Sequence, residues 1–169
     1  MELKTKNNIG IKDAMTYNVI TATSNTTISN IATIMTKKDI SSVVIEDQVV
    51  EGIVTSNNII SKVISKNISP QDITADMVME KYVSVKPNIS LIEASSTMIK
   101  NNCKVILVIN DEDNLKGILT LTDIVRVSPE LIELFIEGNI GRLCPNEYSD
   151  EYDEHLDEGV VKNVVFIVN

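Results

Sequence analysis

Gly52-Ile53-Val54-Thr55-Ser56-Asn57-Asn58-Ile59-Ile60 and Gly117-Ile118-Leu119-Thr120-Leu121-Thr122-Asp123-Ile124-Val125 are one phrase written twice. Outward from that pair, Asp13-Ala14-Met15-Thr16 before Val19 returns as Asp76-Met77-Val78-Met79-Glu80 before Val83, and Ile28, Ile31 and Met35 return as Leu91, Ala94 and Met98. The offset stays near 64 residues, so insertions fall only in connections. Two copies of one unit predict pseudo-twofold symmetry, with a cleft between them as the natural place for a ligand.

Each copy reads as strand, helix, strand, strand, helix. In the first, Val19-Ile20-Thr21-Ala22 is extended, and apolar residues at Ile28, Ile31, Ala32 and Met35 have helical spacing behind a cap at Thr26 or Thr27. Ser42–Ile45 and Val49–Val54 form a hairpin around Asp47-Gln48, and Ile59, Ile60, Val63 and Ile64 mark a closing helix. The second copy repeats this with Val83–Val85, the Leu91 helix, strands Val105–Ile109 and Leu115–Leu119, and a helix after Asp123. Pro70 breaks the connection between them. The division expected is residues 1–66, 67–127 and an acidic extension, 128–169. That extension opens on a short helix with Ser128 as cap, Pro129 first and Gly138 past the end, and finishes on one or two apolar strands over Val160–Val168.

At 169 residues, 43% hydrophobic and 23% charged, the chain can bury one core shared by two small units. No stretch approaches the roughly 20 apolar residues of a membrane helix, and the N-terminus lacks a signal-like apolar run, so the cytoplasm is expected. A net charge of −9 opposes direct nucleic-acid binding. Cys103 and Cys144 with the single His155 make no zinc set, and Cys103 sits in an apolar strand pattern. No residues pair as nucleophile and base, so no catalysis is expected.

The chemistry concentrates in Gly-x-x-Thr-x-x-(Asp/Asn), at a strand–helix junction in both copies. Helix-start amides suit a phosphate, a threonine adds a hydroxyl, and the Asp123 carboxylate can accept from both hydroxyls of a ribose. Asn58 offers one carbonyl oxygen and should hold a sugar less well. The same pattern is equally a capping box, with Thr120 as cap and Asp123 folding back.

In these motifs, in Met15-Thr16 and Met79-Glu80 opening each copy, and in the helices ending at Met35 and Met98, residues 11–127 resemble the tandem CBS-domain (cystathionine β-synthase domain) proteins. The resemblance implies an α/β (α+β) fold of two β-α-β-β-α repeats packed sheet to sheet. It implies binding of AMP, ADP, ATP or S-adenosylmethionine between repeats, as a regulatory ligand and not a cofactor, and association as a homodimer. By position, one pocket would use Asp123 for ribose and Thr120 with Thr122 for ribose or phosphate, walled by Ala22, Ile40 and Ser41. A weaker pocket would set Thr55 and Asn58 against Lys86, Cys103 and Lys104. With no catalytic domain attached, the expected role is a sensor acting on a separate protein; the alternative is an interaction module with empty clefts. The tail from Leu143 to Gly159 faintly resembles a zinc ribbon that has lost its cysteines, and its acidic run lacks the order of a calcium loop, so no metal is expected.

Overall fold

The structure, a computed structural model, describes residues 9–137. The first repeat contains β1 (Thr21–Ala22), α1 (Ile28–Lys38), β2 (Ser42–Glu46), β3 (Val50–Thr55) and α2 (Ser56–Lys62). After a helical turn, α3 (Ala75–Val78), the second contains β4 (Ser84–Val85), α4 (Leu91–Lys100), β5 (Val105–Ile109), β6 (Leu115–Thr120) and α5 (Leu121–Val127). A 3₁₀ turn at Pro129–Leu131 leads into α6 (Ile132–Glu137). The expected continuous helix from Pro129 is therefore split, and Ser128, buried and with ψ of 79°, makes no side-chain capping bond. Gly138, Cys144, His155 and the expected terminal strands lie outside the described residues.

Each repeat builds a three-stranded sheet, in orders β1-β2-β3 and β4-β5-β6, with the first pair parallel and the second antiparallel. The alternation of strand side chains explains the unbroken apolar runs at β2 and β5. Val43 and Ile45 face the helices of their own repeat, while Val44 meets Leu107 and Ile109 across the sheet–sheet interface. Ile106 and Val108 likewise face helices, and Ile53 and Ile118 join the central layer. The same register irregularity recurs at Ile45/Glu46 and Val108/Ile109.

The opening turns are exchanged between the repeats. Ile11, Ala14 and Met15 are buried in the core of the second repeat, and Ala75 and Val78 in that of the first. Backbone bridges fix the exchange: Thr16 and Ile118 trade hydrogen bonds of 2.9 Å, and Ile53 and Glu80 trade bonds of 3.0 Å. The motif glycines exist for this contact. A Cβ at Gly52 would stand 2.9 Å from the Glu80 carbonyl oxygen, and one at Gly117 would stand 2.7 Å from Met15 Sδ. Each core therefore takes an opening turn from the other side of residue 66.

Candidate nucleotide clefts

Two local devices shape both clefts. The first is the end of α1 and of α4, where Asp39 (φ 53°) and Asn102 (φ 48°) take the left-handed conformation that Asn and Asp tolerate better than most residues. The amides of Ile40 and Cys103 then close onto the carbonyls of Met35 and Met98 at 3.0 Å. This turn delivers Ile40-Ser41 and Cys103-Lys104 to the cleft rims. The second is a capping box at the start of α2 and of α5. Thr120 Oγ1 accepts from the Asp123 amide at 3.3 Å and donates to Asp123 Oδ2 at 2.7 Å; that oxygen also accepts from the Thr120 amide at 3.0 Å. Thr55 and Asn58 form the same box, with Asn58 Oδ1 accepting from the Thr55 amide at 2.9 Å and hydroxyl at 2.8 Å.

The first cleft encloses about 300 Å³ and gathers Asp123, Thr120, Thr122, Ile40 and Ser41. Ala22 is not among its lining residues; it packs against the core of the first repeat. Sequence reasoning missed Thr16, Asn18, Val19 and Ile20, which form the opposite wall, and Asp39. The repeat alignment is the signal that could have found them, because these residues follow the exchanged Met15 turn. The Asp123 side chain is 13% exposed, and its Oδ1 accepts from Arg126 Nη2 at 2.8 Å. A ribose taking both carboxylate oxygens must displace Arg126, whose side chain is 68% exposed and can turn into solvent.

The second cleft encloses about 820 Å³ and gathers Thr55, Asn58, Cys103 and Lys104. Lys86 stands apart from these lining residues: its ammonium donates to the Asn110 carbonyl at 2.9 Å and pairs with Asp111 at 2.9 Å, at the turn of the β5–β6 hairpin. Sequence reasoning missed Glu80 and Lys81 in this cleft. Glu80 pairs with Lys62 at 3.0 Å, and that bond, with a lesser one from the Asn58 side chain, holds its carboxyl below the usual range. Burial pushes the Cys103 thiol up, so it is poorly suited to act as a nucleophile. Ser41, Ser42, Thr120 and Thr122 line both clefts, which therefore share one rim.

Among the described residues, no cluster of His, Cys, Asp or Glu is grouped to hold a metal ion, and no helix is long and apolar enough to cross a membrane.

Comparison with known proteins places these clefts in a family. The CBS domain family model matches residues 11–65 and again 74–130. An uncharacterised protein of Methanocaldococcus jannaschii is 38% identical over 163 residues, covering 92% of this chain and 82% of its own. One from Methanopyrus kandleri is 28% identical over 127 residues, covering 73% of this chain; the match spans only 65% of that relative's length. Among solved structures, the CBS domain pair of protein MJ0100, in complex with 5′-methylthioadenosine and S-adenosyl-L-methionine, aligns at TM-score 0.63 and 29% identity, covering 70% of this chain and 98% of that one. With the two matched segments coinciding with the two sheet-and-helix repeats, the chain belongs to the CBS-domain family.

Proposed function

We propose that the chain is a noncatalytic sensor, a cytoplasmic homodimer that binds an adenosine-containing ligand (AMP, ADP, ATP or S-adenosylmethionine) between its repeats. Its ligand-dependent change of shape is read by a separate protein. The observation that carries this reading is the first cleft: a concave space between the repeats, walled by Val19, Ile20 and Ile40, with the carboxylate of Asp123 at its edge. Apolar walls suit a base, and a carboxylate suits the hydroxyls of a ribose. The adenosyl ligands named for the MJ0100 pair support the same class. A ligand shifts the protein only by binding two states unequally, and the exchanged opening turns give it two repeats to hold together. Isothermal titration with AMP, ADP, ATP and S-adenosylmethionine tests the reading: saturable binding is expected, and Asp123→Ala should abolish it in a chain that still melts cooperatively.

A second reading has its own support. The capping boxes satisfy the motif's hydroxyls and amides internally, and Arg126 covers the remaining oxygen of Asp123. On that basis the chain is an interaction module with empty clefts. Absence of heat with every adenosyl ligand, from a folded chain, would select it.

A further inference from the structure

The two clefts divide the chemistry of a nucleotide between them. Among the described residues the first offers a sugar acceptor but no uncommitted cation: its lining includes Asp39 and Asp123 and neither lysine nor arginine, and Arg126 beside it is paired with Asp123 Oδ1. A phosphate chain confined there would meet two acids. The second offers cations but no open sugar acceptor. Asn58 is buried, and its carbonyl oxygen already receives both the amide and the hydroxyl of Thr55. Lys81 and Lys104 line this cleft, both are exposed, and neither ammonium has a hydrogen bond or ion pair among the described residues. Its one carboxylate, Glu80, is already paired with Lys62.

The halves are contiguous. Ser41, Ser42, Thr120 and Thr122 line both. Lys104 is joined to the motif holding Asp123, because its carbonyl accepts from the Leu121 amide at 2.9 Å, one residue beyond Thr120. Its neighbour Val105 pairs directly with Thr120.

Resting on the assignment of ribose to Asp123, we propose that the clefts form one divided site for a single nucleoside polyphosphate. The ribose sits at Asp123, and the phosphates cross the shared rim to Lys81 and Lys104. Each added phosphate then moves negative charge away from Asp39 and Asp123 and toward the two ammonium groups. Two flexible ammoniums suit an anionic chain of variable geometry. S-adenosylmethionine presents the two ammonium groups with a single carboxylate, beside its own cationic groups, and loses to the more highly charged triphosphate.

Titration of the full chain with adenosine, AMP, ATP and S-adenosylmethionine tests this. One molecule should bind per chain, with affinity rising from adenosine through AMP to ATP by at least tenfold overall. The Lys81→Ala/Lys104→Ala double variant alters only exposed side chains; it should erase the advantage of ATP over adenosine. The ATP advantage should also shrink as salt is raised. Two molecules per chain, S-adenosylmethionine binding tighter than ATP, or a double variant that keeps the ATP advantage would each overturn the divided site. If adenosine binds through Asp123 and ATP binds no better, this proposal fails while the sensor reading stands. If no ligand binds the folded chain, both fail.

Discussion

The two clefts were built from one repeated phrase, yet they have exchanged a carboxylate. At the start of α5 the acid is Asp123, and the exchanged turn contributes Thr16 to the same cleft. At the start of α2 the helix carries the amide Asn58, and the acid has moved across to Glu80. Each acid also has its own cation: Arg126 holds Asp123, and Lys62 holds Glu80. The capping geometry survives the swap, because an amide oxygen accepts from the threonine as well as a carboxylate oxygen does. What changes is the second acceptor: Asp123 keeps another oxygen, held by Arg126, whereas the one carbonyl oxygen of Asn58 is taken up by Thr55. A motif can therefore keep its fold signal intact while its acceptor chemistry changes, and the exchanged turn shows where the acid has gone.

The largest effect should come from forcing the second cleft to imitate the first. Asn58→Asp sets a second carboxylate beside Glu80 in a position only 5% exposed, and should cost about 2 kcal/mol at neutral pH. Adding Glu80→Thr restores the Thr16–Asp123 arrangement. A double-mutant cycle by denaturant unfolding should then give a coupling of about 1 kcal/mol or more in the rescuing direction. Additive costs would mean that the two residues do not sense each other.

The converse change is milder. Asp123→Asn retains an oxygen for the Thr120 cap and loses only the bond from the exposed Arg126, so unfolding should shift by about 1 kcal/mol or less. Adenosyl-ligand binding should nevertheless fall at least tenfold. A large loss of stability with unchanged binding would assign Asp123 to capping alone.

How much of this was legible depended on whether the cause was local. The hairpins, a first helix capped at Thr26 or Thr27, the cap at Thr120, and the buried strands around Val43–Ile45 and Ile106–Val108 could be read in the chain, because periodicity and capping act within a few residues. The exchange of Ile11–Met15 and Ala75–Val78 was not legible: an apolar turn does not state which sheet will cover it. For the same reason Gly52 and Gly117 read as parts of a ligand motif, when the close approach is by the exchanged backbone and methionine. Lys86 was placed by position in the family, but Asp111 and the Asn110 carbonyl across its own sheet are nearer claims on its charge. Glu80 and Lys81 escaped notice because they belong to the second cleft only through the exchange.

The acid that moved should also leave a trace in pH dependence. Hydrogen bonding to Lys62 lowers the Glu80 carboxyl below its ordinary value of 4.5, so its stabilisation is complete above that pH and is lost as pH falls through the lowered folded value. The pair is partly exposed, and solvent screening limits the effect to about 1 kcal/mol or less. Glu80→Gln should remove that part of the acid-side slope and leave stability near pH 9 lower than in the parent chain by the same small amount. An unchanged slope would mean that Lys62 does not hold Glu80 in solution.

Arg126→Ala should be the smallest change in stability and the sharpest probe of the first cleft. The guanidinium lies mostly in solvent, so an exposed pair of this kind contributes about 0–1 kcal/mol, and thermal unfolding should barely move. Binding responds differently, because Arg126 and a ribose compete for Asp123 Oδ1. Removing the arginine frees that oxygen and should tighten adenosine severalfold, with no corresponding gain at the second cleft, where Ser61 occupies the matching helical position and bonds back to the Asn57 carbonyl at 2.7 Å. Weaker adenosine binding in this variant would show instead that Arg126 contributes to the bound state, turning from the carboxylate to the ligand. Either result separates the clefts: in the first the cation sits on the acid proposed to read the sugar, whereas in the second Lys62 sits on an acid outside the motif.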